Sequence, residues 1–534
     1  MSAQPVESPV ACETNIPFFR LGAPAPSSEP LGIVGGTLIL DSGEAENTFV
    51  FRCQDRYLVY NALAGLRSVL FVLDSHHAGV YDSLIRIHSA SVRELCNATG
   101  FPLPAIAEPL FVVVNKQHLT VEDILNKPSL DSSGVYLNQV SPTGVRIVTG
   151  VCRLLHERGI PVRFDGAVHA CLGSLTLLLH NKEFCWNLVA DSDRLPRRAD
   201  SVIVDAGEFL SIGSWHDLQS LYARRSGRNA PNSFYVKSTQ DSGGNVAARL
   251  CWKTFDSAIR LLKRSIRTAI LCENDGDPEL LEELKTEIAC VPSLQDNRFS
   301  DSELREYLSS QNNRRSGVRI ILQPEVVPPA GAETARMGFT YVIGPNGGSR
   351  PIAAAAQVYA DADHHHYLGS YLCDSLDAAH QGSMLDLKIQ ELCRVVARRG
   401  YSGPLNFDAC LDQDGQFTFI GDWNPRLTAV YPALAVRSFL RGRGLEANTI
   451  LGLGYRGEFR YPDISSVMKH LSANGMLYTA ERRRGVVLLP NIYRKNGFDA
   501  YFVNVPLHEA KQALGAGLLH RYASKGTPAP RQVF

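Results

Sequence analysis

No run of about 18 uninterrupted apolar residues occurs in the sequence, and without one a membrane-spanning helix is not expected. There is no C-x-x-C pair either. The twelve cysteines, among them Cys12, Cys53, Cys96, Cys152, Cys171, Cys185 and Cys251, are scattered, which favours reduced thiols over a disulfide scaffold or a zinc knuckle. Charge of one sign is not in surplus: 54 basic side chains balance 54 acidic ones, so no general attraction to nucleic acid or an anionic membrane follows. The basic cluster Arg482-Arg483-Arg484 reads as a solvated turn. Met1 to Pro30 lacks an apolar h-region and does not read as a signal peptide, so a cytoplasmic location is expected. Internal repeats and coiled-coil heptads are absent.

What is present is a chain of 534 residues, enough for three or four domains with sizeable cores. Residues 1–32, rich in Pro and Ser, read as a flexible tail. The runs Thr37 to Leu40, Ser68 to Leu73, Leu110 to Val114 and Val162 to Phe164 read as short strands, and Gly144 to Arg158 as a helix. Together they suggest an open α/β layer. Further on, Ser201 to Val204, Phe234 to Val236 and Val246 to Leu250 read as strands. The last two form a hairpin with a glycine-bearing tip at Ser242-Gly243-Gly244. Asp256 is expected to cap a helix over Ser257 to Arg267, with Ala258, Ile259, Leu262 and Ile266 on its buried side. Asp277-Pro278-Glu279 opens another helix. Val318 to Leu322 is strand-like, and Gly338 to Ile343 pairs with the run after Asn346-Gly347-Gly348.

The densest chemistry lies at 403–432. Leu405 to Asp408 and Phe417 to Ile420 read as antiparallel strands joined by a turn at Asp412 to Gly415. Pairing them brings Asp408 near Asp422, with Asn424 two residues on and on the same side. Two carboxylates and an amide oxygen converging in this way suit Mg²⁺ that also holds phosphate oxygens. Arg426, four residues after Asp422, offers a planar cation for a phosphate or acyl oxygen. The plainer alternative is a surface hairpin whose Asn424-Pro425 starts a turn.

This stretch resembles the metal-binding end of the ATP-grasp superfamily, in which an acidic residue precedes an acidic-x-Asn-Pro-Arg run. The second acidic residue there is usually Glu, and here it is Asp422. Upstream, Asn181-Lys182 resembles the lysine at the start of a helix before the grasp. Lys237, followed by Ser242-Gly243-Gly244, resembles the lysine that ends a strand before a glycine loop. Lysine is a compact charge for phosphate oxygens, and glycines let backbone N–H groups approach them. Gln323, Glu325 and Val326 resemble the adenine hinge. Glu333 is a candidate for the ribose hydroxyls or simply a solvated loop residue. Asp361-Ala362-Asp363-His364-His365-His366 falls in the family's variable loop near the acceptor, so it reads as a substrate loop or a solvated one. The Glu273 to Asp277 run lacks the spacing of a calcium loop and is better explained as helix capping.

The resemblance implies an α/β chain in four parts. These are the tail at 1–32, an α/β domain at 33–178, an ATP-grasp domain of two α+β subdomains at 179–430 with a lid near 232–325, and a C-terminal module at 431–534. It implies an ADP-forming ligase that uses ATP and Mg²⁺ to activate a carboxylate as an acyl phosphate and join it to an amine, with small-molecule partners and a homodimer as one arrangement. Magnesium is assigned to Asp408, Asp422 and Asn424, and the oxygen of the tetrahedral adduct to Arg426. Within the superfamily the layout resembles natural-product peptide ligases of the pheganomycin type, with Gln357, Tyr359 and Gly369 after the grasp strands. Gly485 to Tyr493 then reads as a strand and Leu507 to Leu519 as a helix. Two rivals stand: a carboxylase or carbamoyl-phosphate chemistry on the same scaffold, and a nucleotide-binding protein without catalysis.

Overall fold

The computed structural model describes short strands and isolated positions before residue 179. Beyond that it covers most of 181–239, 247–266, 319–359, 367–399, 401–453, 464–491 and 497–515. The β-branched runs of the first region form β1 (Ile33–Leu38), β2 (Ser68–Val72), β3 (Leu110–Val113), β4 (Val135–Leu137) and β5 (Val162–Phe164). They pair in parallel in the order β3-β2-β1-β4-β5, the arrangement expected of an open α/β layer. The expected helices at 144–158 and after Asp277 lie outside the described residues.

Two antiparallel sheets follow. The smaller has the order β6-β9-β7-β8 and is made of β6 (Val202–Asp205), β7 (Ser233–Ser238), β8 (Ala247–Cys251) and β9 (Arg319–Pro324). One set of alternate residues, including Val202, Val204, Phe234, Val236, Leu250, Ile320 and Leu322, packs against Phe209, Leu218, Leu221 and Tyr222. Those four sit on α2 (Ala206–Leu210) and α3 (Trp215–Ser226). Ser214 starts α3 with a reciprocal capping box to Asp217, and Gly227 ends it. The helix expected to start after Asp256 opens two residues earlier, at Phe255. The carbonyl of Thr254 accepts the first helical bond, from the Ala258 N–H at 3.0 Å, so Thr254 takes the N-cap position and Asp256 falls inside. Ile259, Leu262 and Ile266 face the core as read from the sequence.

The larger sheet has the order β14-β13-β10-β11-β12-β15-β17-β16. Its first five strands are β10 (Arg336–Ile343), β11 (Ser349–Tyr359), β12 (Tyr367–Cys373), β13 (Gly403–Leu411) and β14 (Phe417–Asn424). β15 (Thr449–Leu453), β16 (Gly485–Asn491) and β17 (Gly497–Val503) extend the same sheet. Met337, Phe339, Tyr341, Phe407, Ala409, Phe419 and Trp423 point to a single core shared with α5 (Met384–Arg398). A fully buried Phe or Leu there contributes about 1.5–3 kcal/mol, so this face anchors the sheet, and the alternate residues of β10 and β13 turn to the opposite one.

On the core face, Tyr341 donates to Asp386 Oδ1 at 2.6 Å and lies 2.5 Å from His380 Nε2. Burial pushes the His380 imidazole below its ordinary range, against the opposing pull of Asp386 and Asp377. Burial also works to raise the Asp386 carboxyl, but bonds from Tyr341, Gln390 and the Gly382 N–H outweigh it and hold the group below the usual range. The unfolded imidazole protonates near about pH 6.5 while the native one does not, so stability falls as pH drops through that value. The Asp386 contribution is lost only further down, below about pH 4. Between about pH 7.5 and 5.5 the urea midpoint is expected to fall more steeply in the wild type than in His380→Gln. Equal slopes would show that His380 carries no linkage.

Candidate active site

The alternation that buries one face of each sheet turns a second set of residues to the opposite face. On the smaller sheet these are Tyr235 and Lys237 of β7, Ile321 and Gln323 of β9, and Arg249 of β8, with Tyr235 paired to both Arg249 and Gln323. On the larger sheet they are Arg336, Gly338 and Thr340 of β10, facing Cys410, Asp408 and Asn406 of β13. Three contacts bridge the sheets along this cleft. The Arg336 guanidinium donates from Nη2 to the Tyr235 hydroxyl at 2.6 Å. Lys237 Nζ donates to the Ile420 carbonyl at 3.1 Å. Cys410 Sγ lies 3.6 Å from the Val326 carbonyl.

At the Lys237 end, polar side chains are ordered in series. Thr340 Oγ1 donates to Asn406 Oδ1 at 3.0 Å, and Asn406 Nδ2 donates to Asp408 Oδ1 at 2.9 Å. Asn424 pairs directly across from Asn406, so Asn424, Asn406 and Asp408 share a face. Gly338 sits opposite Asp408, and a Cβ there would come within 3.3 Å of Asp408 Oδ1 and 3.2 Å of Asn406 Oδ1. The missing side chain is the room these two occupy.

β14 reaches this register through a bulge: Phe407 pairs with Trp423, yet Ala409 pairs with Phe419. The extra residues include Gly421 and Asp422, so the backbone of Asp422 enters the stretch opposite Asp408. Gly421 has φ 75°, a left-handed conformation, and a Cβ there would lie 3.0 Å from the Trp186 ring. Gly421→Ala is therefore expected to cost about 1–3 kcal/mol and to shift Asp422 and Asn424 out of register. Urea unfolding checks the first effect and ATP turnover the second.

Trp186 belongs to α1 (Lys182–Leu188), whose start is capped by Asn181 Oδ1 accepting from the Glu183 and Phe184 N–H groups at 2.9 and 3.1 Å. The Lys182 N–H donates to the Thr239 carbonyl at 2.8 Å, and its Nζ lies 3.4 Å from the Ser238 carbonyl. Both expected lysines thus converge on the end of β7. Lys237 is 5% exposed, a deep position for an ammonium group.

At the other end, Gln323 is 2% exposed and its Oε1 is buried without a partner among the described residues. The Glu325 carboxylate accepts from Arg249 Nε at 2.9 Å on both oxygens and from Ser233 Oγ at 2.5 Å. Its side chain therefore ties β8 to the segment after β9, while its N–H reaches the Ser233 carbonyl at 3.1 Å. Burial pushes the Cys410 thiol up to about 11, with Glu325 and Asp412 adding to it and Arg336 opposing. Burial raises the Tyr235 phenol as well. Both stay uncharged at neutral pH.

Of the residues singled out from the sequence, Lys182, Lys237, Gln323, Val326, Asp408 and Asn424 lie along this cleft. Ser242, Gly243, Gly244, Glu333, Arg426 and His364 to His366 lie outside the described residues, as does the side chain of Asp422. The sequence reading missed Tyr235, Arg336, Gly338, Thr340 and Asn406. The signal for three of them was the polar-or-small alternation Arg-x-Gly-x-Thr at 336–340 within an otherwise apolar strand.

No protein-family model matches the chain, and no curated protein matches it. Among solved structures, the chain is similar to N5-carboxyaminoimidazole synthase from Aspergillus clavatus in complex with ADP and 5-aminoimidazole ribonucleotide. That likeness has a TM-score of 0.44 at 11% identity, over 92% of this chain and 97% of that one. It is also similar to N5-carboxyaminoimidazole synthetase from Staphylococcus aureus complexed with ADP, at TM-score 0.43 and 8% identity, over 92% and 97%. A third is the biotin carboxylase domain of Hydrogenobacter thermophilus 2-oxoglutarate carboxylase with MgADP, ADP and bicarbonate. Its TM-score is 0.43 at 11% identity, over 88% and 87%. At such scores and identities the activity has to be read from the residues of this chain. Among the described residues no helix is long and apolar enough to cross a membrane.

Proposed function

We propose that the cleft binds ATP with Mg²⁺ and that the protein is an ADP-forming ligase joining a carboxylate to an amine. The observation that carries this reading is the Lys237 ammonium, 3.1 Å from the Ile420 carbonyl. It seats a cation of one sheet at the bulge of the strand that bears Asp422 and Asn424, beside Asp408. That juxtaposition gives a polyphosphate what it needs: fixed positive charge and oxygen donors for a hard metal.

Lys237 and Lys182 balance phosphate charge. Gln323 Oε1, a buried acceptor, takes an N–H of the base. The donors at the phosphate end are oxygens, the chemistry Mg²⁺ prefers, and Asp408 and Asn424 would hold it together with Asp422. Bound there, the metal would neutralise charge on the phosphate oxygens. The donor carboxylate oxygen then forms a bond to the γ-phosphorus while the bond from that phosphorus to the ADP oxygen breaks. The amine nitrogen attacks the acyl carbon, inorganic phosphate leaves with the C–O pair, and the amine proton passes to solvent. Holding the reactants in line is the main demand on the protein. Ser242, Gly243 and Gly244 cover the phosphates, Glu333 the ribose and Arg426 the tetrahedral oxygen, as in the ATP-grasp pattern the sequence resembles. Amino acids or peptides are the proposed substrates, following the resemblance to peptide ligases, and the cytoplasm is the proposed location.

The test is phosphate release from ATP and magnesium with panels of acids and amines. Release is expected only when both an acid and an amine are present. Release with bicarbonate and no other acid would move the protein to carboxylase chemistry. Absence of ATP binding by calorimetry would overturn the reading altogether.

A further inference from the structure

The described protein has two buried arginines, and they are treated differently. Arg437, 3% exposed, lies 2.9 Å from Asp377 Oδ2 and 3.4 Å from Asp374 Oδ1. Arg336, 7% exposed, has no carboxylate partner among the described residues. Its guanidinium lies between two phenol rings, 5.0 Å from the Tyr235 centroid and 5.5 Å from that of Tyr359. Its Nη2 donates to the Tyr235 hydroxyl, and its Nε is buried with no partner among the described residues.

A guanidinium sealed from water is normally matched by an anion. The groups acting on Arg336 are Tyr235, Tyr359 and Cys410. A phenol and a thiol are neutral groups at neutral pH, so neither Tyr235 nor Cys410 supplies negative charge. The Glu325 carboxylate of the same cleft is already held by Arg249. Among the described residues Arg336 is therefore a positive charge in neutral walls, with an unused donor. It lies two residues along β10 from the position facing Asp408, about 7 Å away in an extended strand.

We propose that Arg336 pairs with an oxyanion, carboxylate or phosphoryl, of the ligand on which the two sheets close. Both phenol rings lie against the guanidinium, and its planar fork of donors suits an oxyanion. This deepens the ligase reading and rests on it. Two sources carry such an oxyanion: the nucleotide and the acid to be activated.

The experiment titrates ATP, ADP, adenosine and inorganic tripolyphosphate into wild type, Arg336→Met and Arg336→Lys, and measures the KM of the acid in steady state. Loss of charge-assisted bonds is expected to weaken the partner about 10- to 100-fold. If the partner is the nucleotide phosphoryl, ATP, ADP and tripolyphosphate weaken in Arg336→Met while adenosine does not. If it is the acid, nucleotide affinities hold and the acid KM rises. In both cases Arg336→Lys recovers part of the loss, because charge is kept and the fork is not. Thermal unfolding identifies variants that fail to fold, and Arg336→Lys and Tyr359→Phe then replace Arg336→Met. Unchanged affinities and unchanged acid KM in a folded variant overturn the proposal and leave Arg336 as an internal strut. Wild type that binds tripolyphosphate in an Arg336-dependent way but no ATP would sink the ligase reading alone.

Discussion

Replacing Lys237 with methionine is expected to reduce ATP turnover by at least about 100-fold while leaving the fold intact. The two effects separate because the lysine does two different jobs. In the free protein the residue is 5% exposed and its ammonium is bonded to the Ile420 carbonyl, an arrangement in which desolvation opposes the charge. Methionine has a similar length and no charge to desolvate, so stability is expected to stay within about 1.5 kcal/mol of wild type or to rise. With ATP present the balance reverses, since the Lys237 ammonium then meets phosphate charge at the Ile420 bulge. Calorimetry with ATP should show weakened binding in Lys237→Met, and urea unfolding should show an unchanged or later midpoint. A variant that lost stability and kept turnover would make Lys237 a structural strut between the sheets.

Most strands were legible because their signal is local. The apolar runs at β2, β3 and β5, and the hairpin over Gly403 to Asn424, are set by alternation and by the turn at Asp412 to Gly415. There the Gly415 N–H meets the Asp412 carbonyl at 3.0 Å. Lys182 and Lys237 could be picked out by their order and by the glycines after the second. What was not legible depends on partners far away in the chain. Arg336 becomes distinctive only when β7, 101 residues earlier, places Tyr235 beneath it. Glu325 reads as part of a ligand hinge until the order β9-β7-β8 brings Arg249 across Tyr235 to take its carboxylate. Thr254 takes the cap position in place of Asp256 because the turn after β8, with the Thr254 N–H on the Cys251 carbonyl at 3.0 Å, starts the helix two residues sooner. The bulge at Gly421 had one local sign, the glycine itself, and a strand reading by strict alternation passes over it.

That bulge also decides what Asp408→Asn should do. The substitution keeps size and shape, and the side chain is half-buried on the cleft face, so stability is expected to change by less than about 1 kcal/mol. Its local bonding does change. Asn406 Nδ2 now donates to Asp408 Oδ1 at 2.9 Å, while Asn406 Oδ1 is held by Thr340 at 3.0 Å. Thr340 fixes the Asn406 amide, so Asn406 continues to present N–H to position 408. The new asparagine must then turn its own carbonyl toward Asn406 and its NH₂ group toward the open side of the cleft. A hard cation there would lose a charged oxygen and meet N–H instead. Turnover is expected to fall by about 100-fold or more, and the magnesium concentration for half-maximal rate to rise. Binding of adenosine, which carries no phosphate, should be unaffected. Thr340→Val tests the mechanism of this effect independently: releasing Asn406 lets its amide turn, so the double variant Thr340→Val with Asp408→Asn should recover part of the magnesium affinity. If the single variant turns over ATP at the wild-type rate and magnesium dependence, then Asp408 holds no metal.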